Sequence, residues 1–169
     1  MAKLLLFGYG NPGRGDDALG PELIARIEPM QLIGVDCQND MQLQVEHVTD
    51  LNECDLALFV DADMSCAEPY DLSELGAAAD DSYTSHAMNP AALLHAYREV
   101  YSKEPPPAFL LRIRGYDFGL GDPLTDRAAY NLKAATRLVV ELCNSVSLPM
   151  WRKKLNASCP VITGYLAIQ

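Results

Sequence analysis

A strand, a glycine-rich turn and a helix follow one another at the start of the chain, and this succession constrains the fold most strongly. The stretch LLLFGYGNPGRGDDALGPELIARI spans residues 4–27. Its apolar run from Leu4 is continuous rather than alternating, which is typical of a strand buried on both faces. Apolar residues then recur at helical spacing from Leu19 to Ile27. A buried strand that leads directly into a helix is the first unit of an α/β sheet.

The rest of the chain repeats this alternation of strands and helices. Further strands are predicted at 34–37, 56–60, 70–72 and 109–113, and helices after Asn89-Pro90 and after Thr125 or Asp126. The segment 41–54 fits both a helix and a strand. The pattern predicts a single three-layer α/β domain: a mostly parallel twisted sheet with helices on both faces. We place this domain at residues 1–145 and leave 146–169 as a C-terminal tail of uncertain structure.

Charge and cysteine content exclude several classes of protein. The 169 residues carry a formal net charge of −10, whereas a nucleic-acid binder presents a basic face. The sequence contains no apolar run near the roughly 18 residues of a membrane helix. Its five cysteines contain no C-x-x-C pair, so we expect reduced thiols in the cytoplasm. We therefore expect a cytoplasmic monomer with neither a nucleic-acid nor a membrane partner.

Acidic residues follow two of the predicted strands, where ligands bind in parallel sheets. Asp16 and Asp17 come after the first strand, Asp61 ends the strand at 56–60, and His86 precedes a helix. Each has a structural explanation, such as helix capping by one of the two adjacent aspartates. Together they form a candidate metal site of two carboxylates and one imidazole, ligands that leave coordination positions open.

The glycines of the opening turn match the letters of a dinucleotide-binding loop, G-x-G-x-x-G, at Gly8, Gly10 and Gly13. A phosphate at that helix N-terminus requires the amide groups to be free of negative charge. Asp16 and Asp17 occupy the first turn instead and would repel the phosphate. The turn therefore favours approach to a cation.

These motifs resemble those of the hydrogenase maturation endopeptidases, which process the large subunit of nickel–iron hydrogenases. The family motifs G-x-G-N and D-[D/E]-x-x-G match residues 8–11 and 16–20. The family's apolar strand ending in D-A matches residues 60–62, and its histidine before a helix matches His86. The resemblance covers about residues 3–145, and the combined spacing is more specific than any single motif.

The resemblance implies an endopeptidase that removes the C-terminal extension of the large-subunit precursor after nickel insertion. It places Asp17, Asp61 and His86 in contact with nickel that arrives with the precursor, although zinc binds the same ligands. Cleavage is then either metal-assisted, by polarising the carbonyl or activating water, or of the aspartic type, with Asp17 or Asp16 as general base. The predicted substrate-binding loop consists of Gly8, Gly10, Asn11 and Gly13.

Two other functions, and two other histidines as metal ligands, are alternatives to this interpretation. The stretch GNPG at 10–13 also resembles peptidyl-tRNA hydrolase, but no histidine precedes His47 and the net charge of −10 opposes a tRNA substrate. A nickel-dependent assembly module that binds the hydrogenase subunit without cutting it has the same sequence features. Within the metal site, His47 and His95 compete with His86, and we expect both to pack or to face solvent.

Overall fold

The computed structural model describes residues 2–77 and 88–158 and contains a five-stranded sheet. The strands are β1 (Leu4–Tyr9), β2 (Val35–Asp40), β3 (Leu56–Asp63), β4 (Tyr70–Leu75) and β5 (Ala108–Arg114). Their order in the sheet is β2-β1-β3-β5-β4. The first four of these neighbours run parallel, and β4 is an antiparallel edge strand. The predicted α/β class is confirmed.

Helices cover both faces of the sheet. The helices are α1 (Leu19–Ile27), α2 (Val48–Leu51), α3 (Pro90–Tyr101), α4 (Asp126–Asn144) and α5 (Leu148–Ser158). Side chains of α1, α4 and α5 pack with Leu6 and Val60 on one face. Side chains of α2 and α3 pack with Phe7 and Phe59 on the other. Because strand side chains alternate, the continuous apolar runs supply both cores.

Local signals set the starts of the two longest helices that follow loops. The Asn89 side chain accepts a hydrogen bond from the Ala92 backbone N–H at 2.8 Å and caps α3. Thr125, rather than Asp126, caps α4 through the Ala128 N–H at 3.2 Å. The ambiguous segment 41–54 forms a 3-10 turn at 45–47 followed by the short α2. Neither the helical nor the strand pattern therefore extends over the whole segment.

The segment after residue 145 belongs to the same domain as far as it is described. Trp151 on α5 is 1% exposed and meets the ring of Phe109 at 5.2 Å between centroids. Its indole N–H points at the carbonyl oxygens of Leu142 (3.1 Å) and Ser145 (2.9 Å), at the end of α4. The domain boundary predicted at 145 is therefore placed too early, because α5 supplies an aromatic residue to the core.

The strand order creates a switch point between β1 and β3. The chain passes from β1 through α1 to β2 on one side, then returns across β1 to form β3 on its other side. Connections leave the carboxyl ends of β1 and β3 in opposite directions, and ligands of open α/β sheets bind at such a point. Of the acidic residues singled out in the sequence, Asp16 and Asp17 follow β1, and Asp61 lies near the end of β3.

Candidate functional site

Asp61 lies near the carboxyl end of β3, beside Tyr9 at the end of β1. The Tyr9 hydroxyl donates a hydrogen bond to the Asp61 carboxylate. Burial raises the pKa of Asp61 to about 7, and the charges of Asp17 and Asp63 act in the same direction. Hydrogen bonds from the Tyr9 hydroxyl and the Ala62 backbone oppose this rise. Asp61 is thus a carboxyl group that exchanges its proton near neutral pH.

Asp17 lies on a 3-10 turn, Gly15–Ala18, that links β1 to α1. Its Oδ2 accepts a hydrogen bond from the Asn11 backbone N–H at 2.8 Å. The negative charge of Asp17 contributes to the raised pKa of both Asp61 and Tyr9, so these groups share one electrostatic environment. The structure therefore brings together Asp17 and Asp61. The third predicted ligand, His86, lies outside the described residues.

Asp16 points into the protein and is fully buried. Its carboxylate accepts hydrogen bonds from the Tyr116 and Asp117 N–H groups at 2.8 and 3.1 Å. Thr125 donates two more, from its N–H at 2.7 Å and its hydroxyl at 2.9 Å. Burial acts to raise the pKa of Asp16, but these hydrogen bonds outweigh it and lower the pKa below 3.8. A buried carboxylate held in this way is unsuited to act as a general base, so the structure argues against the catalytic role predicted for Asp16.

Neither aspartate caps a helix, contrary to the structural explanation that the sequence suggests. The 3-10 turn and α1 have no side-chain hydrogen bond at their N-caps, Arg14 and Ala18. Asp16 instead holds the loop before α4, and Asp17 holds the turn after β1. The two adjacent acids therefore have different surroundings and different roles.

Close packing explains the glycines of the opening turn. A Cβ atom at Gly8 would lie 2.5 Å from the carbonyl oxygen of Gly20 in α1. Gly10 has a φ of +146°, and a Cβ there would lie 2.1 Å from the carbonyl oxygen of Asp17. The Gly13 carbonyl accepts a hydrogen bond from the Gly121 N–H at 2.8 Å. Substrate contact by Gly8, Gly10, Asn11 and Gly13 stays a prediction.

One polar residue from each strand lies in a line across the sheet, near the carboxyl ends of the parallel strands. In sheet order this polar row consists of Asp40, Tyr9, Asp61, Arg112 and Asp71. Gly8 of β1 pairs with Val60 of β3. The next residue of each strand is Tyr9 and Asp61, so these two lie side by side. The row continues the face that carries Phe7 and Phe59, where the apolar core gives way to polar side chains.

Sequence reasoning did not single out Tyr9 or Arg112. Strand alternation alone places Tyr9 on the face of Phe7, but only the order and register of the strands put Arg112 opposite Asp61. Arg112 pairs with Asp71 at 2.8 Å and lies 3.5 Å from an oxygen of Asp63. Both contacts raise the pKa of Arg112, with the Asp71 hydrogen bond as the larger cause.

The competing histidines take the positions expected of packed or exposed residues. His47 stacks edge-on against Phe7 at 4.7 Å, and its Nδ1 accepts the Gln44 N–H at 2.9 Å. Its Nε2 lies 3.3 Å from the Asp40 carboxylate. His95 lies on α3, about one third exposed, with its Nε2 4.0 Å from Glu99. The prediction that both pack or face solvent is confirmed.

Asp17 and Asp61 carry carboxylate oxygens, the type of ligand that the sequence predicts for a metal site. Within residues 2–77 and 88–158, no group of three histidine, cysteine, aspartate or glutamate side chains is placed to hold a metal ion. The cysteines at 37, 54, 66 and 143 are free thiols. Among the described helices, none has the length and apolar character needed to cross a membrane.

The fold is that of an α/β domain found in solved hydrogenase maturation proteases. The [NiFe] hydrogenase maturation protease HycI from Thermococcus kodakarensis superposes with a TM-score of 0.68 at 18% identity, covering 85% of this chain and 94% of the other. The hydrogenase maturating endopeptidase HybD from E. coli gives 0.66 at 19%, covering 85% and 93%.

A third similar structure is the hydrogenase 2 maturation peptidase from Thaumarchaeota archaeon SCGC_AB-539-E09. It gives a TM-score of 0.62 at 23% identity and covers 84% of this chain and 98% of the other. Protein-family models and curated protein sequences give no match. The likeness therefore establishes the fold, and this is the fold that the sequence motifs predicted.

Proposed function

We propose that this chain is an endopeptidase that removes the C-terminal extension of a nickel–iron hydrogenase large-subunit precursor. The observation that carries the proposal is that Asp17 lies close enough to Asp61, at the switch point of the sheet, for its charge to raise the pKa of Asp61. Both residues fall on motifs of the maturation endopeptidases, and the fold agrees with solved structures of such enzymes. Fold and site thus support one function independently.

Nickel inserted into the precursor is the feature that this site recognises in our proposal. Asp17 and Asp61 provide carboxylate oxygens, and His86 provides the imidazole. Carboxylates bind a cation only when ionised, so binding must release the proton that burial keeps on Asp61 near neutral pH. The site then senses whether the precursor carries its metal.

Of the two adjacent acids, Asp17 suits the chemical step better than Asp16. Asp16 is buried and fully hydrogen-bonded, whereas Asp17 is partly exposed and close to Asp61. Asp17 can accept a proton from the attacking water, with the nickel of the precursor polarising the scissile carbonyl. This retains both hypotheses drawn from the sequence and removes Asp16 from the aspartic-type one.

A cleavage assay tests the function. The full chain is mixed with the large-subunit precursor, with and without nickel, and the products are weighed by mass spectrometry. We expect a C-terminal fragment from the nickel-loaded precursor only. Asp17→Asn, Asp61→Asn and His86→Ala should each reduce the rate by about 100-fold or more.

Matched controls separate loss of the site from general damage. Asp36→Asn removes an exposed carboxylate near the start of β2, at the end of the strand away from the site. His95→Ala removes an imidazole from α3. Both should cleave at the native rate. A stable nickel-dependent complex without cleavage would identify an assembly module instead. An intact precursor that forms no complex would refute the proposal.

A further inference from the structure

Two arginines near the carboxyl end of β5 are held differently by the structure. Arg112 and Arg114 are two residues apart, so both side chains belong to the face of the sheet that carries Asp61. Arg112 forms ion pairs with Asp71 and Asp63. Arg114 forms none with a carboxylate in the part of the chain that the structure describes. Its positive charge is therefore left without an ion pair at this end of the sheet.

The hydrogen-bond donors of Arg114 are used unevenly. Nη1 donates to the backbone carbonyl oxygen of Cys66 at 2.6 Å, which is the one side-chain hydrogen bond that Arg114 donates to a described residue. Nε is shut off from solvent and has no partner among the described residues. Nε and Nη2 lie on one edge of the guanidinium, and such a pair of N–H groups binds a carboxylate with two parallel hydrogen bonds. An acceptor at this edge would satisfy a buried donor that is costly to leave unpaired.

The side chains around Arg114 do not supply this acceptor. The Tyr116 hydroxyl, and then the charges of Arg127 and Arg114, lower the pKa of Glu68, so Glu68 lies near Arg114. Its Oε1 accepts hydrogen bonds from the Tyr116 hydroxyl and from Arg127 Nη2, the latter at 2.7 Å. The centroid of the Tyr116 ring lies 5.4 Å from Arg114 Cζ. Glu68 is thus paired with Arg127, and Arg114 packs against the ring.

Arg98 on α3 provides a comparison within the same chain. Its side chain is also half-buried, and its Nε is also buried without a partner among the described residues. Its Nη2, however, donates to Glu104 at 2.8 Å, so its charge is paired. Of these two arginines, only Arg114 keeps Nη2 available beside the unpaired Nε.

We propose that Arg114 binds a carboxylate of the polypeptide substrate through Nε and Nη2. The carboxylate belongs either to an acidic side chain or to a chain end, because both present the same two oxygens. Arginine suits this contact, since its fork matches the geometry of a carboxylate and an uncharged amide lacks the second acceptor. Arg114 is then a specificity-determining residue.

The register of the sheet places Arg114 near the candidate site. Arg112 pairs with Asp61 and Arg114 pairs with Asp63, so Arg114 lies about 7 Å further along the strands than the Asp61 position. A carboxylate held there belongs to a residue close to the bond that is cut. This inference rests on the proposed function, which supplies the polypeptide as the hydrogenase large-subunit precursor.

NMR of the arginine Nε–H groups in the isolated full chain tests the contact without the precursor. N-acetylglutamic acid α-amide offers a side-chain carboxylate, N-acetylalanine offers a chain end, and N-acetylglutamine α-amide is the uncharged control, all at constant ionic strength. We expect a saturable shift of the Arg114 Nε–H signal with at least one carboxylate and none with the amide. The probe that acts identifies the source of the carboxylate. The Arg98 Nε–H signal should not move, because Glu104 occupies Nη2.

Cleavage kinetics test the role of Arg114 in substrate binding. Arg114→Gln should raise KM for the precursor about tenfold or more and leave kcat within about twofold, because a charge-assisted contact outside the chemical step is lost. Arg98→Gln removes the same charge from α3 and should keep the native KM and kcat.

Two outcomes would overturn the inference. One is the absence of a saturable shift at Arg114 Nε–H with either carboxylate probe, which is decided on the native chain even if Arg114→Gln does not fold. The other is a folded Arg114→Gln whose KM equals that of Arg98→Gln. In both cases the native chain can still release the C-terminal fragment, so failure of this inference is distinguishable from failure of the proposed function.

Discussion

The carboxylate of Asp16 and the helix-capping residue Thr125 meet inside the protein, although 109 residues separate them in the chain. Thr125 donates to Asp16 from both its backbone N–H, at 2.7 Å, and its hydroxyl, at 2.9 Å. The same hydroxyl oxygen accepts the Ala128 N–H at the start of α4. This contact fixes the turn that carries Asp17 to the beginning of α4, so a buried charge positions a partly exposed one.

Asp16→Asn should lower the free energy of unfolding by about 2–4 kcal/mol. In the native protein the donors share the two acceptor oxygens of the carboxylate. The amide of asparagine offers them one acceptor oxygen and lacks the charge that strengthens those bonds. Urea unfolding at neutral pH measures the change. Asp36→Asn, on an exposed part of β2, should change stability by less than about 0.5 kcal/mol. Similar losses in both variants would contradict the role of Asp16.

Asp61 should make the protein less stable as the pH rises from about 4 to about 7. An unfolded aspartate releases its proton near 3.8, whereas the folded carboxyl keeps it up to about 7. Between these values the folded state binds the extra proton, so the free energy of unfolding falls with rising pH. Asp61→Asn should therefore gain about 2–4 kcal/mol relative to the native protein between pH 4 and pH 8. Urea unfolding across this range measures the difference, and parallel stability profiles would show that Asp61 has an ordinary pKa.

Tyr9→Phe and Asp17→Asn should shift the pKa of Asp61 in opposite directions. The Tyr9 hydroxyl stabilises the ionised carboxylate, so its removal should raise the pKa further above 7. The charge of Asp17 opposes ionisation, so Asp17→Asn should lower it. Carbon-13 NMR of the aspartate carboxyl groups follows the titration. Tyr130→Phe, which removes an exposed hydroxyl from α4, should leave it unchanged. A shift of the same sign in both site variants would disprove this arrangement.

Trp151→Ala should destabilise the protein by about 3–5 kcal/mol, as expected for a large aromatic residue removed from a core. The side chain is 1% exposed and packs against Phe109 across the sheet face covered by α4 and α5. Thermal and urea unfolding measure the loss. Met150→Ala, at a neighbouring position 45% exposed, is the matched control and should cost less than about 1 kcal/mol. If the two variants were equally stable, α5 would not belong to the core.

Nearest-neighbour patterns explain which parts of the fold could be predicted. The run from Leu4 and the stretch 56–60 are buried strands because they contain no polar residue to face solvent. Asn89-Pro90 starts α3 because the cap and the fixed φ of proline act within four residues. The placement of Asp61 at a strand end followed from the same local pattern. These features need no knowledge of distant contacts.

Adjacent residues with the same chemistry could not be told apart in this way. Asp16 and Asp17 have nearly the same sequence context, and the difference between them comes from Tyr116 and Thr125, which lie 100 and 109 residues away. The burial of Trp151 likewise depends on a residue distant in the chain, Phe109, whose ring it contacts.

By itself the sequence determined the α/β class, the buried strands, and the positions of acidic residues after β1 and near the end of β3. Those properties follow from hydrophobic periodicity and from residues close together in the chain. Tertiary structure alone decided that Asp16 is structural, that Tyr9 supports Asp61, and that Arg112 holds Asp63 and Asp71. The physical reason is that strand order and register bring distant side chains to one edge of the sheet, where burial and neighbouring charges assign each carboxylate its state.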